Sequence, residues 1–289
     1  MISNQLRDAL AATTRTREFA FGNEDFEALR KLVKELTGIN LSEQKRELVY
    51  GRLARRLRAL HLRTFAEYRD LLASDGGREI SELCNAITTN LTSFFRESHH
   101  FDYLREQVLQ PMLAQRTGQR RVRIWSAGCS TGEEAYSLAM TVIESFPDLR
   151  TWDVKILATD LDSDVLAKAK RGVYAAERVR SIGPQRLGRF FVEKRGREGP
   201  SYEVSAELTA LITFKQLNLL HPLPMKGPLD AIFCRNVVIY FDKDTQRDLF
   251  SRVAQLQRPG DLLFLGHSES LFKVSESYTP IGKTVYRRA

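Results

Sequence analysis

Residues 122–136 read VRIWSAGCSTGEEAY. An apolar, β-branched run ends in the small residues Ser126 to Gly132 and passes directly into an amphipathic stretch that opens at Glu133. A strand that turns through small residues onto a helix N-terminus commits the chain to an α/β sheet. It is also how such sheets bring backbone close to a nucleotide-like ligand, because a bulky loop would hold the ligand away. The turn has no Gly-Lys-Ser/Thr ending, which sets aside a triphosphate cradle. It also lacks the full G-x-G-x-x-G spacing, and the pair Glu133–Glu134 at the helix start repels a pyrophosphate. An acid there suits a ligand that is cationic or rich in hydroxyls, and S-adenosylmethionine is both.

The rest of the chain arranges itself around that turn. Residues 1–22 form a polar tail, and residues 23–90 carry helical periodicity throughout. Phe26, Leu29, Leu32, Val33 and Leu36 fall on one face and stop at Gly38, and Val49, Leu53, Leu57 and Leu60 form the stripe of the next helix. Residues 91–121 read as a linker with a connecting helix. From Val122 the pattern alternates strand and helix, the mark of a parallel sheet. Strands are expected at Val122–Ser126, Val154–Thr159, Ala231–Cys234, Leu262–Gly266 and Thr284–Arg287. The segment of about residues 190–214 breaks the rhythm with Gly196, Gly199 and Pro200 between apolar runs, and reads as an inserted β-hairpin.

Bulk properties exclude several classes. The cysteines Cys84, Cys129 and Cys234 are widely spaced, odd in number and without a C-x-x-C pair, which argues against a disulfide framework or a zinc site. No apolar run approaches membrane-spanning length and the N-terminus has no apolar leader core, so a cytoplasmic protein that is not inserted in a membrane is expected. The formal charge is +8, and it is concentrated: between Lys45 and Arg63 seven bases face the single acid Glu47. Arg52, Arg55, Arg56 and their neighbours there read either as a solvated face or as a surface that steers an acidic partner. His99–His100 reads as a helical surface pair rather than a metal site, so no metal is expected.

Three further stretches carry chemistry. Asp160, in Thr-Asp-Leu-Asp, stands where a doubly wound fold places an acid on a ribose diol. Asn236 and Tyr240, in CRNVVIYF, follow a buried strand; the amide suits an adenine edge or the amino-acid end of a cofactor, and the phenol ring suits a sulfonium. Asn90, Thr92 and Arg96, in TTNLTSFFRE, lie on a segment able to fold over a cofactor.

TTNLTSFFRE, WSAGCSTGEEAYS, the Thr-Asp-Leu-Asp stretch, FKQLNLL, AIFCRNVVIYFD and GHSES, in this order, resemble the CheR family of bacterial chemotaxis-receptor glutamate O-methyltransferases. The resemblance implies a Rossmann-like class I methyltransferase domain with an inserted small β-subdomain, preceded by a small all-α domain. It implies S-adenosylmethionine as methyl donor, with contacts from Asn90, Thr92, Arg96, Glu134, Asp160, Asn218, Leu219, Asn236 and Val237. Arg96 and Tyr240 would lie nearest the transferred methyl. Arg52, Arg55 and Arg56 would meet the acidic methylation helices of a chemotaxis receptor, and a monomer is the default. In some members the β-subdomain also grips a receptor C-terminal peptide; the loop EKRGREGPSYEV is only loosely like those binders, and that role stays open.

A glutamate nucleophile is already ionised at neutral pH, so the reaction needs no general base, and no convincing His–acid pair is visible to supply one. Two rival readings remain. A nucleic-acid methyltransferase would use the basic helix on phosphate but should show an Asn-Pro-Pro-Tyr or catalytic cysteine motif. A non-catalytic receptor adaptor would have no use for Gly128, Glu134, Asp160 and Asn236 together.

Overall fold

The computed structural model describes residues 17–75, 77–114, 120–196 and 199–289. The chain divides into a helical unit, which includes Leu41–Ile87, and an α/β unit, which includes Thr88–Ala289.

Among the described residues, four α-helices belong to the first unit: α1 Asn23–Thr37, α2 Arg46–Ala59, α3 Phe65–Ser74 and α4 Arg78–Ile87. α1 stops where Gly38 takes up φ +75°, a conformation that costs a Cβ-bearing residue free energy. α3 starts at Thr64, whose hydroxyl accepts from the Glu67 N–H while the Glu67 carboxylate accepts from the Arg63 N–H, which satisfies two orphan donors. Of the expected stripe, Val49, Leu53 and Leu57 are buried, and Leu60, at the C-cap of α2, is half-buried.

Two arginines flank that stripe and bond to α4. Arg52 donates to the carbonyls of Ala86 and Ile87 and so caps the C-terminus of α4. Arg56 makes a two-pronged contact with Glu79, at 2.9 and 2.6 Å, and reaches Glu82 at 3.0 Å. Glu79 is only 4% exposed and also accepts from the Tyr68 hydroxyl at 2.8 Å. Arg52 and Arg56 are therefore both half-buried and engaged within the unit, while Arg55 is exposed. Spacing along a helix assigns a face and leaves the partners on neighbouring helices unspecified. Arg56→Met leaves the Glu79 carboxylate buried and unpaired and should lower stability by about 3 kcal/mol. Arg55→Gln should change it by less than about 0.5 kcal/mol. Urea unfolding of both variants tests this, and equal midpoints would contradict it.

The α/β unit is a seven-stranded sheet in the order β6-β2-β1-β7-β8-β10-β9. Its strands are β1 Arg121–Ala127, β2 Asp153–Asp160, β6 Ile212–Gln216, β7 Ala231–Cys234, β8 Leu262–Leu265, β9 Tyr278–Gly282 and β10 Val285–Arg288. β6, β2, β1, β7 and β8 run parallel, and β10 is antiparallel to both β8 and β9. The chain leaves β1 toward β2 and β6, then returns to β7 on the other side of β1. Strand order thus reverses between β1 and β7, where open α/β sheets bind ligands beyond the strand carboxyl ends. Helices α5 Glu133–Ser145, α6 Ser163–Arg171 and α7 Lys243–Ala254 cover the sheet.

β6 and β9 were not expected. β6 is an edge strand with no fully buried residue, so it has no apolar run to announce it, and β9 contains Pro280, which edge strands tolerate. The insertion is a second sheet, β3-β5-β4, made by β3 Val173–Ala175, β4 Phe191–Gly196 and β5 Gly199–Val204. It therefore begins upstream of residue 190, and residues 212–214 belong to the large sheet instead. Residues 91–121 are more than a linker. Phe94, Phe101, Leu104 and Leu109 join the core of the α/β unit. The helix His99–Leu104 continues through a π turn, Arg105–Leu109, just ahead of Pro111, a residue that cannot serve the ordinary helical ladder.

Candidate functional site

Three loops leave the carboxyl ends of β1, β2 and β7. In the first, the N–H groups of Gly128 and Cys129 both donate to the Thr159 carbonyl of β2, at 2.8 and 2.9 Å. Gly128 has φ +83°, and a Cβ built on it would lie 2.3 Å from Cγ2 of Val237 in the β7 loop. The two loops are therefore in contact only because position 128 has no side chain. Gly132, at φ +97°, delivers the chain into α5.

In the second loop, Asp160 closes β2. One carboxylate oxygen accepts from the Ser130 N–H at 2.8 Å and the other from the Asp162 N–H at 3.0 Å. Each oxygen keeps a further lone pair, enough for two vicinal hydroxyls. Burial pushes the Asp160 carboxyl up from its ordinary value, against the pull of those N–H groups. Asp162 caps α6 by accepting from the N–H groups of Asp164 and Val165. Its other oxygen accepts from the Thr88 hydroxyl and the Asn90 amide, both at 2.7 Å.

The segment Thr88–Glu97 is thereby fastened along its length. The Asn90 carbonyl accepts from the Ser130 hydroxyl at 3.0 Å, and the Phe95 N–H donates to the Ser137 hydroxyl on α5 at 2.9 Å. The Arg96 carbonyl accepts from Arg235, which lies just past β7. Thr92 is half buried on this segment, and the Arg96 guanidinium donates to the Leu91 carbonyl at 2.9 Å. Phe95 and Glu97, the residues on either side of Arg96, sit at φ +52° and +56°. Such backbone costs each residue about 1 kcal/mol or more, and the bonds just described hold it.

The third loop contains a buried ionic network. The Arg235 guanidinium reaches the Glu134 carboxylate at 3.0 Å and the Glu97 carboxylate at 3.4 Å. Glu134 also accepts from the Ser126 hydroxyl at 2.7 Å, and Glu97 accepts from the His267 ring at 3.1 Å. Burial pushes the Glu134 carboxyl up, against the pull of Arg235 and Ser126. Burial raises Glu97 too, but Arg235, with His267 and His100, outweighs it and holds Glu97 below the usual carboxylate range. Beyond Arg235, Asn236 adopts φ +58°, and Val238–Tyr240 form a single 3-10 turn that leaves Tyr240 half buried. Asn218 and Leu219 follow β6, whose downstream Leu217 N–H donates to the Asp160 carbonyl at 2.9 Å. The Asn218 side chain accepts from the Leu220 N–H at 3.0 Å, and Leu219 is buried.

Of the expected residues, Asn90, Thr92, Arg96, Glu134, Asp160, Asn218, Leu219, Asn236, Val237 and Tyr240 lie on the segment, loops and helix start just described. The Glu134 carboxylate faces inward to Ser126 and Arg235, an orientation that a residue string cannot convey. The sequence reading missed Arg235, Glu97 and Glu269, although Arg235 lies inside CRNVV and Glu269 inside GHSES. It also missed the His267–Glu97 contact, a His–acid pair where none was expected. Glu133 is buried and pairs with Arg178. Cys129 is buried, and burial raises its thiol well above the ordinary value, so it is no nucleophile.

The His99–His100 expectation needs correction. His100 is fully buried and its ring bonds the Lys283 carbonyl at 3.0 Å, so it is no surface residue. Glu97, His99 and His100 hold ligand-type atoms within 4.8 Å of one another. The Arg235 guanidinium beside Glu97 already supplies positive charge there, which disfavours a metal ion. Burial depresses His100 from 6.5 to about 4. A folded pKa below the unfolded one gives stability that is present above pH 6.5 and lost as pH falls through 4. The window is worth about 3 kcal/mol. His100→Gln should flatten that part of the stability–pH curve in denaturant unfolding, and parallel curves would contradict the burial argument.

These features fit S-adenosylmethionine. A glycine turn that tolerates no Cβ, an acid with spare lone pairs at the end of β2, and a polar β7 loop surround one switch point. Residues 90–287 match the family described as "CheR methyltransferase, SAM binding domain", and residues 24–88 match "CheR methyltransferase, all-alpha domain". The chain is 46% identical over 278 residues to chemotaxis protein methyltransferase 2 of Pseudomonas aeruginosa, covering 94% of this chain and 96% of that one. It is 41% identical over 274 residues to the chemotaxis protein methyltransferase of Escherichia coli, covering 94% and 93%.

Proposed function

Because this chain belongs to the CheR methyltransferase family, we propose that it methylates glutamate side-chain carboxylates on the cytoplasmic helices of chemotaxis receptors. The product is a glutamyl methyl ester, and the setting is the cytoplasm. The observation that best supports this reading is the fastening of Thr88–Glu97 to the ends of β2 and β7 and to α5. It holds Asn90, Thr92 and Arg96 on the same side of the sheet as Asp160 and Asn236.

Bound S-adenosylmethionine supplies an electrophilic methyl group on a sulfonium. Asp160 would hold the ribose diol, and Asn90, Thr92, Glu134, Asn218, Leu219, Asn236 and Val237 would line the remainder of the cofactor site. A receptor glutamate is ionised at neutral pH. The His267–Glu97 pair therefore has no proton to remove, and it serves the Arg235 network instead. The residues act by aligning the carboxylate for in-line displacement and excluding water as opposite charges cancel. Tyr240 would present its ring to the sulfonium. Arg96, steadied at its guanidinium by the Leu91 carbonyl, would orient the carboxylate without clamping it, since tight ground-state pairing would raise the barrier.

Arg96→Lys keeps the charge and loses the planar fork. It should lower kcat by at least roughly tenfold, about 1.4 kcal/mol. Near-wild-type kcat would remove Arg96 from the orienting role. The substrate assignment is tested by transferring labelled methyl to receptor-bearing membranes and treating the product with mild alkali. Release as methanol supports a carboxyl ester, whereas alkali-stable label means another acceptor. Exposed Arg55 would contribute to steering the acidic receptor surface.

A further inference from the structure

Glu269 is a buried carboxylate beside the site that has no part in the methyl transfer itself. It follows β8 and is 4% exposed. Its Oε1 accepts from the N–H groups of Val237, Val238 and Ile239 at 2.9, 2.9 and 3.3 Å. Its Oε2 accepts from Asn236 N–H at 2.7 Å and Gly266 N–H at 2.6 Å. Four consecutive N–H groups of the β7 loop thus converge on one side chain, together with a fifth from the β8 loop. Backbone that turns its N–H groups inward in this way forms an anion-binding concavity. Here the protein fills the concavity with its own anion, across about thirty positions of sequence.

The surroundings explain why the loop depends on it. Asn236 is held at φ +58°, which an unsupported residue adopts reluctantly. Its amide presses against Gly266, where a built Cβ would lie 2.4 Å from Asn236 Nδ2. We propose that Glu269 is the positioning residue of the cofactor loop: its carboxylate gathers the Asn236–Ile239 N–H groups and so sets the Asn236 amide and Val237 at the S-adenosylmethionine site. This rests on the reading that Asn236 and Val237 contact the cofactor.

The carboxylate chemistry makes the inference testable. The substitution Glu269→Gln is nearly isosteric but turns an NH2 group toward backbone donors, leaving at least two buried N–H groups facing a donor. Glu269→Gln should therefore raise the S-adenosylhomocysteine Kd and the S-adenosylmethionine KM by roughly tenfold or more. Receptor KM should stay within about twofold of wild type, because the defect lies in the cofactor loop. Glu269→Ala leaves an anion-sized hole ringed by donors, so added formate should restore cofactor affinity to that variant while chloride at the same ionic strength should not. A purely structural lesion would lower the melting temperature and impair both substrates without formate rescue, and that result overturns the inference. So does wild-type cofactor affinity in Glu269→Gln. Failure of the wild-type protein to bind S-adenosylhomocysteine would instead bring down the cofactor reading itself, and this inference with it.

Discussion

Arg235→Met should melt roughly 10 °C below wild type, because it strips the cation from a buried carboxylate pair. Removing one partner of a buried ion pair destabilises by about 3–5 kcal/mol, and for a unit of this size each kcal/mol shifts the melting temperature by about 2–4 °C. Glu134 bears most of the penalty, since it lies against Arg235 at 3.0 Å and keeps only the Ser126 hydroxyl once Arg235 is gone. The sign of the pH dependence follows. Burial already raises the Glu134 carboxyl, and losing Arg235 raises it further. A folded-state pKa above the unfolded one means the deficit appears as pH rises through that interval and shrinks as pH falls. The variant should accordingly lie closer to wild type at pH 5 than at pH 8. Glu134→Gln placed on top of Arg235→Met should recover part of the loss, because the penalty comes from an unpaired charge rather than from the absence of the pair. A double variant no more stable than the single, with a deficit independent of pH, would contradict this account. Activity should fall as well, because Arg235 holds the Arg96 carbonyl.

Gly128→Ala should weaken S-adenosylmethionine binding by roughly a hundredfold, with a smaller effect on folding. At φ +83° an L-residue pays about 1–2 kcal/mol, and the added methyl would lie 2.3 Å from Val237 Cγ2. Either the first loop or the β7 loop must retreat, and the proposed cofactor site lies beside both. Val237→Ala on the same chain removes the colliding methyl and should restore most of the affinity while leaving the backbone term. Isothermal titration with S-adenosylhomocysteine separates these contributions. Unchanged affinity in Gly128→Ala would mean that the two loops move freely past each other.

What a residue string reveals here depends on how locally each feature is specified. The strand–turn–helix at 122–136 is legible because its meaning lies in small residues at fixed spacing, and Asp160 because it stands one strand–helix–strand step downstream. Arg235, Glu97 and Glu269 are not legible in that way. Arg235 meets Glu134 across 101 positions, and Glu269 meets the β7 loop across about thirty. Their roles exist only once the sheet has brought separate loops together. The basic helix shows the same limit from the other side. Spacing shows Arg52, Arg55 and Arg56 as basic positions on one helix, but it cannot show that Ile87 and Glu79 on another helix engage two of them. Edge strands β6 and β9 escape because strand signals are strongest where both faces are buried.

The attachments of Thr88, Asn90, Phe95 and Arg96 also bear on how the protein can be divided. The first regular element of the α/β unit is the helix at His99, so a fusion or domain exchange guided by secondary structure would cut just before it. That breakpoint would discard the partners of Asp162, Ser130, Ser137 and Arg235 together, leaving an intact sheet with one wall of its site missing. A junction after Ile87 keeps all of them. The long continuous stretch of the α/β unit therefore begins eleven residues upstream of its first helix, at Thr88.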